Sequence, residues 1–188
     1  MMRIAIATAT AWLAMAGIVD RVAVVVGNQV ITESEVLREV RINELLNGQP
    51  LDLSPEHRKA AADRLVDQQL IRNEMTIGNY PPPTAAEGND MLRKWRQEHY
   101  SSIPLYRAGL EKYGVSEDDL KGYLMWQLAA IRFTDQRFHV GMVPSAPSED
   151  GQSADRSTGP SVDDQLDAWL KQQRAATRIQ FKKGAFEQ

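Results

Sequence analysis

The stretch DRVAVVVGNQVITESEVLREV, Asp20 to Val40, holds two structural signals back to back. Val22, Val24, Val25 and Val26 form a β-branched run, and Gly27-Asn28 supplies residues that tolerate positive φ. Val30-Ile31 then resume the apolar character, so the segment reads as a tight β-hairpin. Thr32 and Glu35 follow with capping-box spacing: the hydroxyl accepts from a first-turn amide while the carboxylate reaches back to the Thr32 N–H. The spacing predicts a helix from about residue 33 to Leu46, stopped by Asn47-Gly48-Gln49-Pro50. Two short strands are not stable alone in water, so the hairpin needs a third strand or a helical cover.

The chain supplies both. Ser54-Pro55 is an N-cap followed by proline at the first helical position. Ala62, Leu65, Val66, Leu70, Ile71 and Ile77 mark a broad apolar stripe along that helix, with Gly78 as its C-cap and Pro81-Pro82-Pro83 as a stop. Thr84 and Glu87 repeat the capping-box spacing ahead of a helix to about His99, weakened early by Gly88. A short helix is expected from Leu105 to Tyr113, closed by Gly114. Ser116 caps the last long helix; Glu117, Asp118 and Asp119 complement its dipole, and Leu120, Leu124, Leu128, Ile131 and Phe138 mark its buried face.

From Gly141 to Ser161 the composition shifts to Ser, Pro, Gly and Asp, which reads as a flexible linker because it cannot bury enough apolar area to offset ordering entropy. Beyond it, Val162 to Ala175 places Leu166, Trp169 and Leu170 on one side of a helix. Thr177 to Lys182 alternates as a half-buried strand and is the candidate third strand for the hairpin. The expected fold class is therefore mainly α, with a small β-hairpin sheet completed by a C-terminal strand.

The first 16 residues read as an exported leader. Arg3 is followed by an apolar run from Ile4 to Gly17, and Ala14-Met15-Ala16 has the small-x-small form that signal peptidase accepts, which places cleavage between Ala16 and Gly17. At 1.5 Å per residue this run spans roughly 21 Å, short of a hydrocarbon core of about 30 Å, so cleavage is favoured over a membrane anchor. The leader implies a periplasmic or secreted protein, with membrane contact only through an uncleaved leader. The chain has no cysteine, which excludes a disulfide framework and a lipoprotein anchor. A net charge of −3 with no basic tract argues against nucleic acid as a partner.

Candidate chemistry is sparse. His57, His99 and His139 lie far apart in sequence with no second ligand at helical spacing, so no metal or cofactor is expected. Ser101, Ser102 and Ser116 lack a nucleophile elbow, and Gly27-Asn28 is a turn rather than a phosphate loop. No catalytic residue is assigned. Met91, Trp95, Tyr106, Met125, Trp126 and Phe133, with Tyr100, are instead candidates for a surface that holds unfolded chains, because Met adapts to varied partners and aromatics contribute large areas. The competing reading makes most of them ordinary core. Trp126, which lies off the Leu124–Leu128 line, is the most suggestive.

These motifs, in this order, resemble the SurA-like periplasmic chaperones. The opening DRVAVVVGNQVITESEV, the helix ADRLVDQQLIRNEMTIGN from Ala62 to Asn79, the segment LYRAGLEKYGVSEDDLKGYLMWQLAAIRF and the closing LDAWLKQQRAATRIQF are each similar to segments of that family's N-terminal module and its returning C-terminal piece. The resemblance implies a leader at 1–16, a helical chaperone module at 17–140, the linker at 141–161, and a segment at 162–188 that packs back on the module. The chain departs from the family where one or two parvulin-type prolyl-isomerase domains usually sit: only the linker occupies that place. The resemblance thus implies an ATP-independent holdase for unfolded outer-membrane or exported proteins, not an enzyme. A prolyl isomerase with an unrecognised site and a dedicated single-partner assembly factor are the alternatives.

Overall fold

The hairpin and the helix after it share one residue. In the computed structural model, which describes residues 20–139 and 160–187, strand β1 (Val22–Val26) pairs antiparallel with β2 (Gln29–Thr32). Thr32 ends β2 and caps helix α1 (Glu33–Asn47) through both arms of the capping box. Gly27 takes φ +59° in the turn, where a side chain would be strained. A bulge between Val22 and Val24 sets Ala23 and Val24 side by side in the core, which a strict alternation would forbid. The leader with its Ala16–Gly17 cleavage, and residues 141–159 of the linker expected over 141–161, lie outside the described residues; Ser161 is already the N-cap of the next helix.

The third strand is the C-terminal one. Helix α6 (Val162–Ala176) leads into β3 (Ile179–Phe181), which pairs antiparallel with the free side of β1 in the order β2-β1-β3. The ladder extends beyond the strand, since Gly27 N–H donates to Arg178 O and Lys182 N–H to Ala23 O. The protein is mainly α with a three-stranded antiparallel sheet. One face of that sheet packs with α1 and with α2 (Pro55–Ile77) around Val24, Val26, Val36, Val40, Ala62 and Val66.

Two further clusters extend the core. Helices α3 (Ala85–His99), α4 (Ile103–Tyr113) and α5 (Glu117–Thr134) close a second one on the far end of α1, around Ile42, Tyr106, Leu110 and Leu120. The third joins Ile71 of α2, Trp126, Ala129 and Phe133 of α5, and Trp169 of α6. Each large side chain so buried contributes about 1.5–3 kcal/mol of transfer free energy. Gly88, expected only to weaken α3, is a point of close approach: a Cβ there would sit 2.5 Å from Met125 Sδ. A π-helical turn, Asp135–His139, continues α5.

Several expected positions shift. Helix α4 begins at Ile103 rather than Leu105, because Ser102 is its N-cap and Pro104 fits its first turn. Gly78 is the C-cap of α2, as expected, and the left-handed residue is the next one, Asn79 (φ 52°). Ile77 is 82% exposed and Ile131 58% exposed, so neither marks a buried face. Ile131 shares its wheel position with Leu120 but lies about 16 Å further along the axis, beyond the second cluster that buries Leu120. Trp126, Ala129 and Phe133 lie on the other side of α5, so that helix has two buried faces at two levels.

Candidate functional site

Helices α2 and α5 each pack on α1 and meet each other around Ile71 and Trp126, and an open cleft runs along their junction. Its apolar reach, about 600 Å³, is walled by Met75 and Tyr80, by Pro82 and Pro83 after α2, and by Met125, Trp126 and Ala129 of α5. A smaller recess of about 230 Å³ continues past Tyr80 to Pro81, Arg132 and Phe133. The turn after α2 sets this wall: Gly78 caps the helix, Asn79 turns the chain, and Tyr80 is left edge-on to Phe133, with ring centroids 5.3 Å apart.

A polar reach of about 540 Å³ adjoins the apolar one. Arg72, Gly122 and Trp126 line both. The Arg72 guanidinium lies over the Trp126 ring, 4.2 Å from its centroid, and forms the divide. Gly122 is exposed on α5, and a Cβ added there would meet no atom within 4 Å. A glycine in a helix interior costs about 1 kcal/mol against alanine; here it keeps the floor of the cleft low where the two reaches meet.

Glu39 of α1 lies beneath the polar reach at 3% exposure. It accepts from Arg64 Nε at 3.3 Å and Gln68 Nε2 at 3.4 Å. Burial pushes its carboxyl above the usual range, and the Arg64 charge and these hydrogen bonds only partly pull it back. Tyr123, also on this reach, has its phenol raised first by burial and then by the Glu39 charge. At the rim, Arg38 Nε pairs with Asp119 Oδ1 at 3.0 Å. By the smaller recess, the Arg132 fork binds the Glu87 carboxylate, which with the Thr84 cap holds that group down at about 2.

The structure separates the six residues expected to form one client surface. Met125 and Trp126 line the cleft, and Phe133, although fully buried, backs the recess. Met91, Trp95 and Tyr106 belong to the second cluster instead. There Trp95 stacks on His99 (centroids 4.7 Å apart) and meets Tyr106 edge-on, and Tyr106 is 1% exposed. Their grouping with the cleft residues is corrected: hydrophobicity draws all six at least partly inside, but only helix packing decides which wall they join.

Sequence reasoning passed over Arg72, Met75, Tyr80, Gly122 and Glu39. A glycine inside an otherwise strong helix-forming run was the one local signal available. His57 bonds Asp52 and Ser54 at the start of α2, and His99 Nδ1 lies 2.8 Å from Trp95 O. Among the described residues no group of His, Asp and Glu side chains is arranged to hold a metal ion, and no helix is long and apolar enough to cross a membrane. No protein-family model matches the chain, and no curated protein matches it.

Proposed function

We propose that the chain is a SurA-like periplasmic chaperone module, an ATP-independent holdase that keeps unfolded outer-membrane or exported proteins from aggregating. The observation that carries this reading is the open apolar cleft walled by Met75, Tyr80, Met125 and Trp126. Met side chains reshape to varied partners, and aromatic walls contribute large areas without demanding one sequence. Clients are held by reversible burial of apolar side chains, with no covalent step. The polar reach beside the cleft gives an extended client's backbone amides and carbonyls water and side chains to bond to, so they need not be buried unpaired.

The test is suppression of aggregation when a urea-denatured outer-membrane β-barrel protein is diluted into this protein, with prolyl-isomerase turnover read on the same sample. Suppression at near-stoichiometric ratios without turnover supports the holdase. No suppression moves the function to a single folded partner, and clear turnover moves it to isomerase chemistry.

A further inference from the structure

The two reaches of the cleft differ in charge, and that difference specifies an occupant. Arg72 is the one charged residue on the apolar reach, and its guanidinium is engaged on the face of Trp126. On the polar reach four carboxylates, Glu35, Glu39, Asp118 and Asp119, face only two guanidiniums, Arg38 and Arg72. Arg38 is held by Asp119, and Glu39 by Arg64 from outside the lining. The Glu35 carboxylate accepts from the Thr32 N–H as it caps α1, and Asp118 stands exposed in the first turn of α5. Arg72 also feels the charges of Glu35 and Glu39, so with Arg64 four carboxylates meet three guanidiniums and the polar reach keeps one negative charge in excess, nearest the exposed Asp118, next to a wall that accepts large apolar side chains.

We propose that the cleft selects extended segments in which a large apolar side chain neighbours a lysine or arginine, the apolar group entering between Tyr80, Met125 and Trp126 and the cation lying toward Asp118 and Glu35. Successive residues of an extended chain are about 3.3 Å apart, so neighbours one or two positions apart reach both sides of the divide. This inference rests on the holdase reading and adds a sequence preference to it.

The test uses the full chain and three fluorescent peptides with a common Phe-Leu-Phe core flanked by Lys, Gln or Glu, titrated by anisotropy at low and high salt. The Lys peptide should bind roughly three- to tenfold tighter than the Glu peptide at low salt, and the gap should narrow at high salt, as expected for exposed charges. Asp118→Lys should erase or reverse the gap, whereas Glu111→Lys, exposed on α4 away from the cleft, should preserve it. Equal affinities, or a tighter Glu peptide, would overturn the preference and leave the holdase reading intact. If none of the three binds, both proposals fail; a dimer seen by sedimentation would then give the cleft to a second copy of the chain.

Discussion

Arg174 of α6 donates from Nε to Asp67 Oδ1 of α2 at 2.6 Å, joining residues 107 positions apart. The same guanidinium bonds the carbonyl and carboxylate of Asp63 at 2.9 and 3.4 Å, so one fork ties the C-terminal helix to the body. Hydrogen bonds from the guanidinium to Asp67 come first among the causes that hold its pKa above the ordinary value.

Arg174→Ala should therefore lower stability by about 1 kcal/mol, the upper part of the range for partly exposed pairs. Arg174→Lys should recover little of it, because an ammonium cannot reproduce a planar fork. Urea midpoints of the three proteins decide this, and a lysine variant equal to wild type would refute the fork.

Trp169 anchors the same helix in the third cluster, 5.4 Å from the Phe133 ring and under the Arg137 guanidinium. Its indole Nε1–H has no hydrogen-bond partner among the described residues. Trp169→Ala should cost about 3–5 kcal/mol through lost burial and a cavity. Trp169→Phe should cost much less, since it removes an unpaired polar group together with part of the ring. Equal losses for the two variants would mean that the N–H is satisfied.

How far the sequence could be read depended on how local each signal was. Val22–Val26, Gly27 and the Thr32/Glu35 pair act within a few residues of one another, so hairpin, turn and cap are all found where expected. The pairing of β3 with β1 followed from a physical need, because a two-stranded ribbon lacks a partner. Ile77 and Ile131 failed for the opposite reason: a helical wheel gives the angle of a residue but not what lies beside it at that height. Glu39 sits between Val36 and Val40 on a buried face and is tolerable only because Arg64, 25 positions away, reaches it. The cleft depends on how α2 and α5 meet around Ile71 and Trp126 and diverge beside them, a tertiary fact that no window of sequence contains.

Glu39 also makes a prediction in pH. Its carboxyl is raised from the ordinary 4.5 by burial, so as pH rises the unfolded chain gives up this proton before the folded one. Between those two values the folded state binds more protons, and stability contributed by this group falls with rising pH. Glu39→Gln removes that slope and leaves Arg64 able to turn to water. At pH 7 the variant should be as stable as wild type or up to about 1 kcal/mol more stable, with the advantage shrinking toward pH 4.5. A variant clearly weaker at pH 7 would show that the Arg64 pair outweighs the burial cost.

Gly122 separates stability from function. Its Cβ position is open and its φ is not in the left-handed region, so Gly122→Ala should raise stability by about 0.5–1 kcal/mol through helix propensity alone. Thermal or urea unfolding checks this, and a loss of stability would mean that the site is crowded.

The most direct test of the account compares Gly122→Leu with Gly122→Ala and wild type in suppressing aggregation of a urea-diluted outer-membrane β-barrel protein. Leucine is a good helix former whose side chain would rise into the cleft where its two reaches meet. The account predicts a folded variant, at least as stable as wild type, that has lost most of its suppression while Gly122→Ala keeps more of it. A folded Gly122→Leu protein that suppresses aggregation as well as wild type would contradict the assignment of the cleft as the client site.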